Sequence, residues 1–228
     1  MKKLILLSFI TIISPFNLFS QYKVERNIGD FNRLKVYDLL NIELIKSSTN
    51  KVEINGEFPS QAVVKNKNGE LKIRMGLEKR FRGSKTTVKL YYKKIDKINT
   101  HEGVIITSKD TIRQEKLMIK ADSGSIQDYI IDIKDISTKI NTGAIIYLTG
   151  NAINHTAKTT TGGELNAETL KTEETKIHVN TGSIADISAR DLLEINIRTG
   201  GIVNIYSKTK RIKENIQTGG KVIYVDKN

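Results

Sequence analysis

Three histidines, His101, His155 and His178, are the first residues that a search for chemistry meets. A metal site needs ligands that converge on one point. These three stand two residues before Gly103, twelve after Gly143 and four before Gly182, so a stack of repeats would not align them. They read as surface or turn histidines. Ser123, Ser125 and Ser183 sit beside glycines, but no histidine shares their register, and a nucleophilic triad needs a positioned base. Carboxylates are more numerous: Asp128, Asp132 and Asp135, then Glu173 and Glu174, then Asp186, Asp191 and Glu194. Glycoside cleavage needs two acids flanking one bond, about 5–9.5 Å apart. Asp128 and Glu168 could meet only across a skipped repeat, whose own residues there are Tyr147 and Leu148. No phosphate-cradling GxxxxGK[ST] loop and no calcium-binding GGxGxD nonapeptide occurs. The absence of cysteine removes thiol catalysis, disulfides and thiolate zinc sites. The expectation is a chain that is not an enzyme, with no catalytic residues, no metal and no cofactor.

Charge is the one uneven feature. Residues 21–100 hold 18 Lys/Arg against 9 Asp/Glu, net +9, whereas residues 101–228 hold 17 against 16, net +1. The excess concentrates in Lys79, Arg80, Arg82, Lys85, Lys89, Lys93, Lys94 and Lys97, with only Asp96 among them. A basic loop beside Phe81, Tyr91 and Tyr92 could hold an anionic glycan or another anionic envelope component. Arg80, Arg82, Lys85, Lys89 and Tyr91 are the residues expected to make that contact. A solvated lysine edge that discourages strand aggregation is the alternative reading of the same residues. Nucleic acid is not expected as a partner, because the chain reads as exported.

The export signal is Met1-Lys2-Lys3, the apolar run Leu4 to Ile13, a break at Ser14-Pro15 and a small residue, Ser20, before Gln21. Its core is too short to span a bilayer, and no transmembrane segment is expected in the mature chain. Removing residues 1–20 takes two lysines and lowers the formal charge from +12 to +10. The expected destination is the periplasm or the cell surface.

The elements that must position these residues are legible from the glycines. Gly103, Gly124, Gly143, Gly162, Gly182, Gly200 and Gly219 follow one another at intervals of 21, 19, 19, 20, 18 and 19. Three residues before them stand Ala121, Ile140, Thr159, Val179, Ile197 and Ile216; three after stand Gln127, Ile146, Leu165, Ala185, Val203 and Val222; five after stand Tyr129, Leu148, Ala167, Ile187, Ile205 and Tyr224. Columns two residues apart are strands. A fixed period near 19 residues is a stack in which each unit buries its apolar face against its neighbours. The fold expected is all-β: a β-solenoid of the right-handed parallel β-helix kind, with the column Thr142, Thr161, Thr181, Thr199 and Thr218 forming a ladder at the glycine corner. A β-sandwich is the rival, but it predicts no register shared across six units.

Residues 21–100 lack the glycine period yet alternate, with strand signals at Leu34 and Val36, Ile42 and Leu44, Val52 and Ile54, Leu71 to Met75, and Val88 and Leu90. Asn68-Gly69 is a hairpin turn signal. The organisation expected is a signal peptide over 1–20, a basic N-terminal β region over 21–100 and the repetitive solenoid over 101–228, with 21–228 as one continuous domain the alternative.

Gly29-Asp-Phe-Asn-Arg-Leu-Lys-Val36, Asn41-Ile-Glu-Leu44, Val52-Glu-Ile-Asn-Gly56 and Asn68-Gly-Glu-Leu-Lys-Ile73, followed by the Thr-Gly-Gly and Thr-Gly-Ser units, resemble the putative auto-transporter adhesin head GIN domain family over about residues 30–225. The resemblance implies an exported, repetitive β-helix-like protein of the Bacteroidetes type. Asp38-Leu39-Leu40 departs from it, standing where small residues or glycine are usual. The 228 residues leave no room for a membrane barrel, so self-transport is not expected. Together these readings point to a non-catalytic envelope or cell-surface module, adhesin-head-like. A periplasmic envelope-homeostasis scaffold and a carbohydrate-active β-helix enzyme are the alternatives.

Overall fold

The computed structural model describes residues 23–225; the export segment expected at residues 1–20 lies outside them. The first strands are β1 (Val24–Asn27), β2 (Arg33–Val36), β3 (Asn41–Lys46), β4 (Lys51–Gly56), β5 (Ala62–Lys67) and β6 (Glu70–Met75). Then come β7 (Thr86–Tyr92), β8 (Lys97–Thr100) and three long strands, β9 (Ile105–Ala121), β10 (Ile126–Ile140) and β11 (Ile145–Thr159). The remainder are β12 (Glu164–Asn166), β13 (Leu170–Asn180), β14 (Ile184–Ile187), β15 (Leu192–Arg198), β16 (Ile202–Ile205), β17 (Arg211–Ile216) and β18 (Lys221–Tyr224). Among the described residues there is no α-helix.

Two sheets face each other across one core. The first runs β5-β6-β2-β8-β9-β10-β11-β13-β15-β17 and the second runs β1-β4-β7-β3-β9-β10-β11-β12-β14-β16-β18. Every pairing from β2 and β3 onward is parallel, and β9, β10 and β11 each contribute to both sheets. The chain is a β-solenoid with a repeat of about 19 residues. The sandwich alternative fails because one register carries through the stack: Ala121, Ile140, Thr159, Val179 and Ile197 are successive partners, all fully buried. Burial of each Ile or Leu in such a column contributes about 1.5–3 kcal/mol.

The glycine corner is a two-residue left-handed turn. Ser123, Thr142, Thr161, Thr181 and Thr199 have φ of 51–52°, and the glycines after them have φ of 66–76°. The column holds through its backbone. Each glycine N–H donates to the carbonyl of the residue before the next corner's glycine, as in Gly124 to Thr142, Gly143 to Thr161, Gly162 to Thr181 and Gly200 to Thr218, at 3.0–3.1 Å. The departure at Asp38-Leu39 keeps this geometry without glycine. Asp38 and Leu39 take φ of 64° and 60°, the Leu39 N–H donates to the Glu102 carbonyl at 3.0 Å, and the leucine side chain fills the space a Cβ on Gly103 would enter.

A β-branched residue in the left-handed region is strained by roughly 1–2 kcal/mol, whereas Asn tolerates it. Thr142, Thr161, Thr181 and Thr199 are exposed and carry no packing that Asn would lose. Replacing all four with Asn is expected to stabilise the protein by about 2 kcal/mol, read as a higher urea midpoint with unchanged slope.

The N-terminal strands belong to the same two sheets, in shuffled order. β6, the crossing segment 76–85 and β7 make one layer; β2 and β3 make the next; β8 and the start of β9 make the third. The antiparallel pairs β5–β6, β4–β7 and β1–β4 close that end of the stack, which limits edge-to-edge addition. Asn68 and Gly69, with φ of 52° and 74°, form the β5–β6 hairpin turn expected from their sequence.

The inward columns carry polar side chains as well as apolar ones. Gln127 and Tyr129 are fully buried and form a polar chain. The Tyr129 hydroxyl donates to Gln127 Oε1 (2.7 Å), Gln127 Nε2 to Thr100 Oγ1 (2.7 Å), and the Thr100 hydroxyl to Ser125 Oγ (2.8 Å). His155, expected at the surface or in a turn, is buried in the core beside Thr138, with Nε2 3.0 Å from Oγ1. Its register partners are Ile136 and Thr175, so an alternating strand placed it inward.

Candidate functional site

The basic residues singled out by sequence lie on the crossing segment 76–85 and on β7. That segment replaces a two-residue corner, and it must hug the next layer: a Cβ on Gly83 would stand 2.2 Å from the Asp38 carbonyl oxygen. Arg80 projects at this corner, with its guanidinium 3.7 Å from Asp38 and 3.5 Å from Glu102, and 4.9 Å from the ring centre of Phe81. Burial raises the Asp38 pKa, reinforced by its hydrogen bond with Glu102. Lys85 lies 3.4 Å from Glu57 and Lys89 lies 3.9 Å from Glu43. On the outer face of β7, Lys89 and Tyr91 stand two residues apart, and Lys51 Nζ sits 4.6 Å above the Tyr91 ring. Lys51 in turn bonds Glu53 at 2.8 Å, and this bond, with one from Lys23, lowers the Glu53 pKa to about 2.

The structure therefore brings Lys89 and Tyr91 to one face and sets Arg80 with Asp38 and Glu102, and Lys85 with Glu57. A run of cations continuous in sequence is interleaved in space with carboxylates from other strands. Arg82, one residue before the 3-10 turn at Gly83–Lys85, is exposed.

A second surface comes from the corner opposite the glycines. All of the repeat's length variation falls here. Tyr129 pairs with Ser108 but Ile131 with Ile112, so residues 109–111 hold two extra positions. Tyr147 pairs with Asn166 but Gly150 with Leu170, one extra; Asp186 pairs with Asn166 but Leu192 with Glu174, two fewer. A groove of about 730 Å³ runs along this corner, with Asp132, Asn151, Lys171, Arg190 and Lys208 supplied by five successive coils and the varying segments of the later coils contributing Glu168, Thr169, Ser188 and Ala189. Its charges are held in place: Arg190 bonds Glu173 at 3.1 Å and Asp191 at 2.9 Å, and Arg190 with Lys210 lowers the Asp191 pKa to about 2. Asp128, the acid weighed with Glu168, is followed in its column by Tyr147 and Asn166, and Glu173 and Asp191 come together only as the two partners of Arg190. Among the described residues no group of three His, Cys, Asp or Glu could hold a metal, and no helix is long and apolar enough to cross a membrane.

Residues 30–209 match the family described as "Putative auto-transporter adhesin, head GIN domain". The chain belongs to that family. This GIN domain is similar in fold to a structure described as a "putative adhesin" from Bacteroides fragilis, at 13% identity and a TM-score of 0.81 over 91% of this chain and 98% of that one. It is also similar to a "putative adhesin" from Parabacteroides merdae, at 17% identity and a TM-score of 0.73 over 90% and 96%. A "putative lipid binding protein" from Parabacteroides distasonis matches at 14% identity and a TM-score of 0.72 over 90% and 96%. No curated protein matches the chain.

Sequence reasoning missed one outward column of this GIN domain. Four residues before successive corner glycines stand Lys120, Lys139, Lys158 and His178, which are direct register partners on the first sheet. The glycine spacing contained that signal; only inward columns were read from it.

Proposed function

We propose that the chain is an exported, non-catalytic binding module of the adhesin-head kind, displayed at the cell surface. The observation that carries this reading is the corner groove: a rigid parallel stack presents side chains from five coils, and in the later coils it lies where segment length varies. In a solenoid the core fixes each coil against its neighbours while loops on one face are free to change, which suits recognition. Family membership and the adhesin structures of similar fold support it. The basic end, with Arg80, Arg82, Lys85, Lys89 and Tyr91, would contribute contacts to an anionic glycan.

The test is protease accessibility of a C-terminally tagged chain in native cells. Degradation on intact cells supports surface display; protection until the outer membrane is permeabilised overturns it. For the basic end, Lys85→Glu/Lys89→Glu is expected to fold normally and to weaken binding to cell-surface glycan several-fold. Unchanged binding would remove those residues from the site.

A further inference from the structure

The first sheet carries a line of cations that the fold does not require. Along one outward column the successive residues are Lys72, Lys35, Asn99, Lys120, Lys139 and Lys158, one per strand. His178 and Asn196 continue it. Parallel strands lie about 4.8 Å apart, so the five lysines span roughly 24 Å in a straight row. Like charges directly opposite on adjacent strands are destabilising. Lys35 is answered by Glu70 at 3.0 Å and Lys72 lies over the Tyr37 ring. Among the described residues no carboxylate forms an ion pair with Lys120, Lys139 or Lys158, and the Asp122 carboxylate accepts from the Ser123 N–H. Burial, with the lysines at 97, 139 and 35, lowers the Lys120 pKa, so the row is short of counter-charge.

We propose that this column is a binding track for an extended anionic polysaccharide, a polyuronate carrying one carboxylate per sugar, lying along the solenoid axis. The inference deepens the reading of the chain as a binding module and rests on it. Three features select this ligand class. The cations are collinear and evenly pitched, matching a straight chain with one charge per repeat unit; duplex DNA instead presents phosphates every 3.4 Å per strand along a winding path. Beside Lys139 and Lys158 the flanking positions are hydroxyl and amide, Ser137 and Thr156 on one side, Asn141 and Thr160 on the other, which can hydrogen-bond sugar hydroxyls; beside Lys120 they are Met118 and Asp122. Binders of single-stranded nucleic acid present aromatic stacking platforms; the positions flanking Lys120, Lys139 and Lys158 present none, and the stacked Tyr37 and His101 rings lie at the far end of the column, beside Lys35 and Asn99. Finally, the track ends in a concavity of about 350 Å³ lined by Lys158, His178, Asn180, Asn196 and Arg198, which gives the chain a seat.

Polygalacturonate fragments are the probe, with methyl-esterified fragments of the same length and single-stranded DNA as comparators. The folded wild-type protein should bind polygalacturonate in a salt-sensitive way and bind the esterified fragments at least about tenfold more weakly, the loss expected from removing three exposed ion pairs. Lys120→Gln/Lys139→Gln/Lys158→Gln should lose about the same factor while melting no lower than wild type, since it removes like-charge repulsion. Wild-type affinity in the triple variant, equal binding of esterified fragments, or no polygalacturonate binding at all would each overturn the track. So would tighter binding of single-stranded DNA. Loss of polygalacturonate binding in Lys85→Glu/Lys89→Glu alone would overturn the track but leave the module reading intact; failure of the module reading shows separately, in the protease experiment.

Discussion

Gly150→Ala is expected to unfold the protein or to cost it about 3–5 kcal/mol. Gly150 has φ of 104°, and a Cβ there would stand 2.1 Å from the Ile131 carbonyl oxygen of the preceding coil. Neither atom can move without breaking the strand pair that stacks the two coils. Gly182→Ala provides the contrast. Its φ is +66°, but nothing lies within 4 Å of the added Cβ, so only the backbone preference is lost, about 1 kcal/mol. Urea unfolding of the two variants measures the difference. Equal midpoints would show that the coils slide apart to admit a methyl group, against the close packing of the stack.

Acidification is expected to remove about 3 kcal/mol of stability through His155 alone. Burial lowers its pKa to about 4, against 6.5 for the unperturbed side chain. The unfolded chain therefore binds a proton that the folded chain refuses. The stability is complete above pH 6.5, falls through the interval, and is fully lost below pH 4. Glu53 and Asp191, both held at about 2, add their losses at lower pH, beginning near their ordinary carboxylate range. Comparing wild type with His155→Leu across pH 4–7.5 isolates the histidine. The variant forfeits the Thr138 contact, about 1 kcal/mol at neutral pH, and should be the more stable of the two at pH 4. Parallel curves would mean that the imidazole reaches water.

Repetition explains what sequence reading could reach. A column repeated at Gly124, Gly143, Gly162, Gly182 and Gly200 reports the same backbone requirement five times, so the corner was legible even though each motif is short. Asp38-Leu39 adopts the same turn with different residues, which pattern alone cannot establish. The inward columns were legible because alternation has period two; His155 was misjudged because its type outweighed its place in that alternation. Gly150 was silent for a different reason. Its demand arises from close approach to Ile131 in the previous coil, like those of Gly56 against Lys85 and Gly83 against Asp38, and none of the three stands in a repeated column. The basic segment shows the opposite failure. Eight cations in nineteen positions are conspicuous in sequence, yet Glu43 reaches them from β3 and Asp38, Glu57 and Glu102 from the turns after β2, β4 and β8, where linear spacing holds no information.

The shuffled layers at the N-terminal end bear on the timetable of folding. β2 and β3 lie between the β6–β7 layer and the β8–β9 layer, so a chain emerging from its N-terminus makes its second layer before either neighbour exists. Those early strands must wait, unpaired, until β6 and β7 are available, and they are covered on both sides only once residue 108 is. The downstream coils close only onto the coil just before them, through sequence separations near 19 residues, and local closure is fast. Nucleation is therefore expected among β10–β15, with the first strands docking last onto a finished template. Under the export proposed above, such a late-closing leading end would keep the chain extended while it is still in transit.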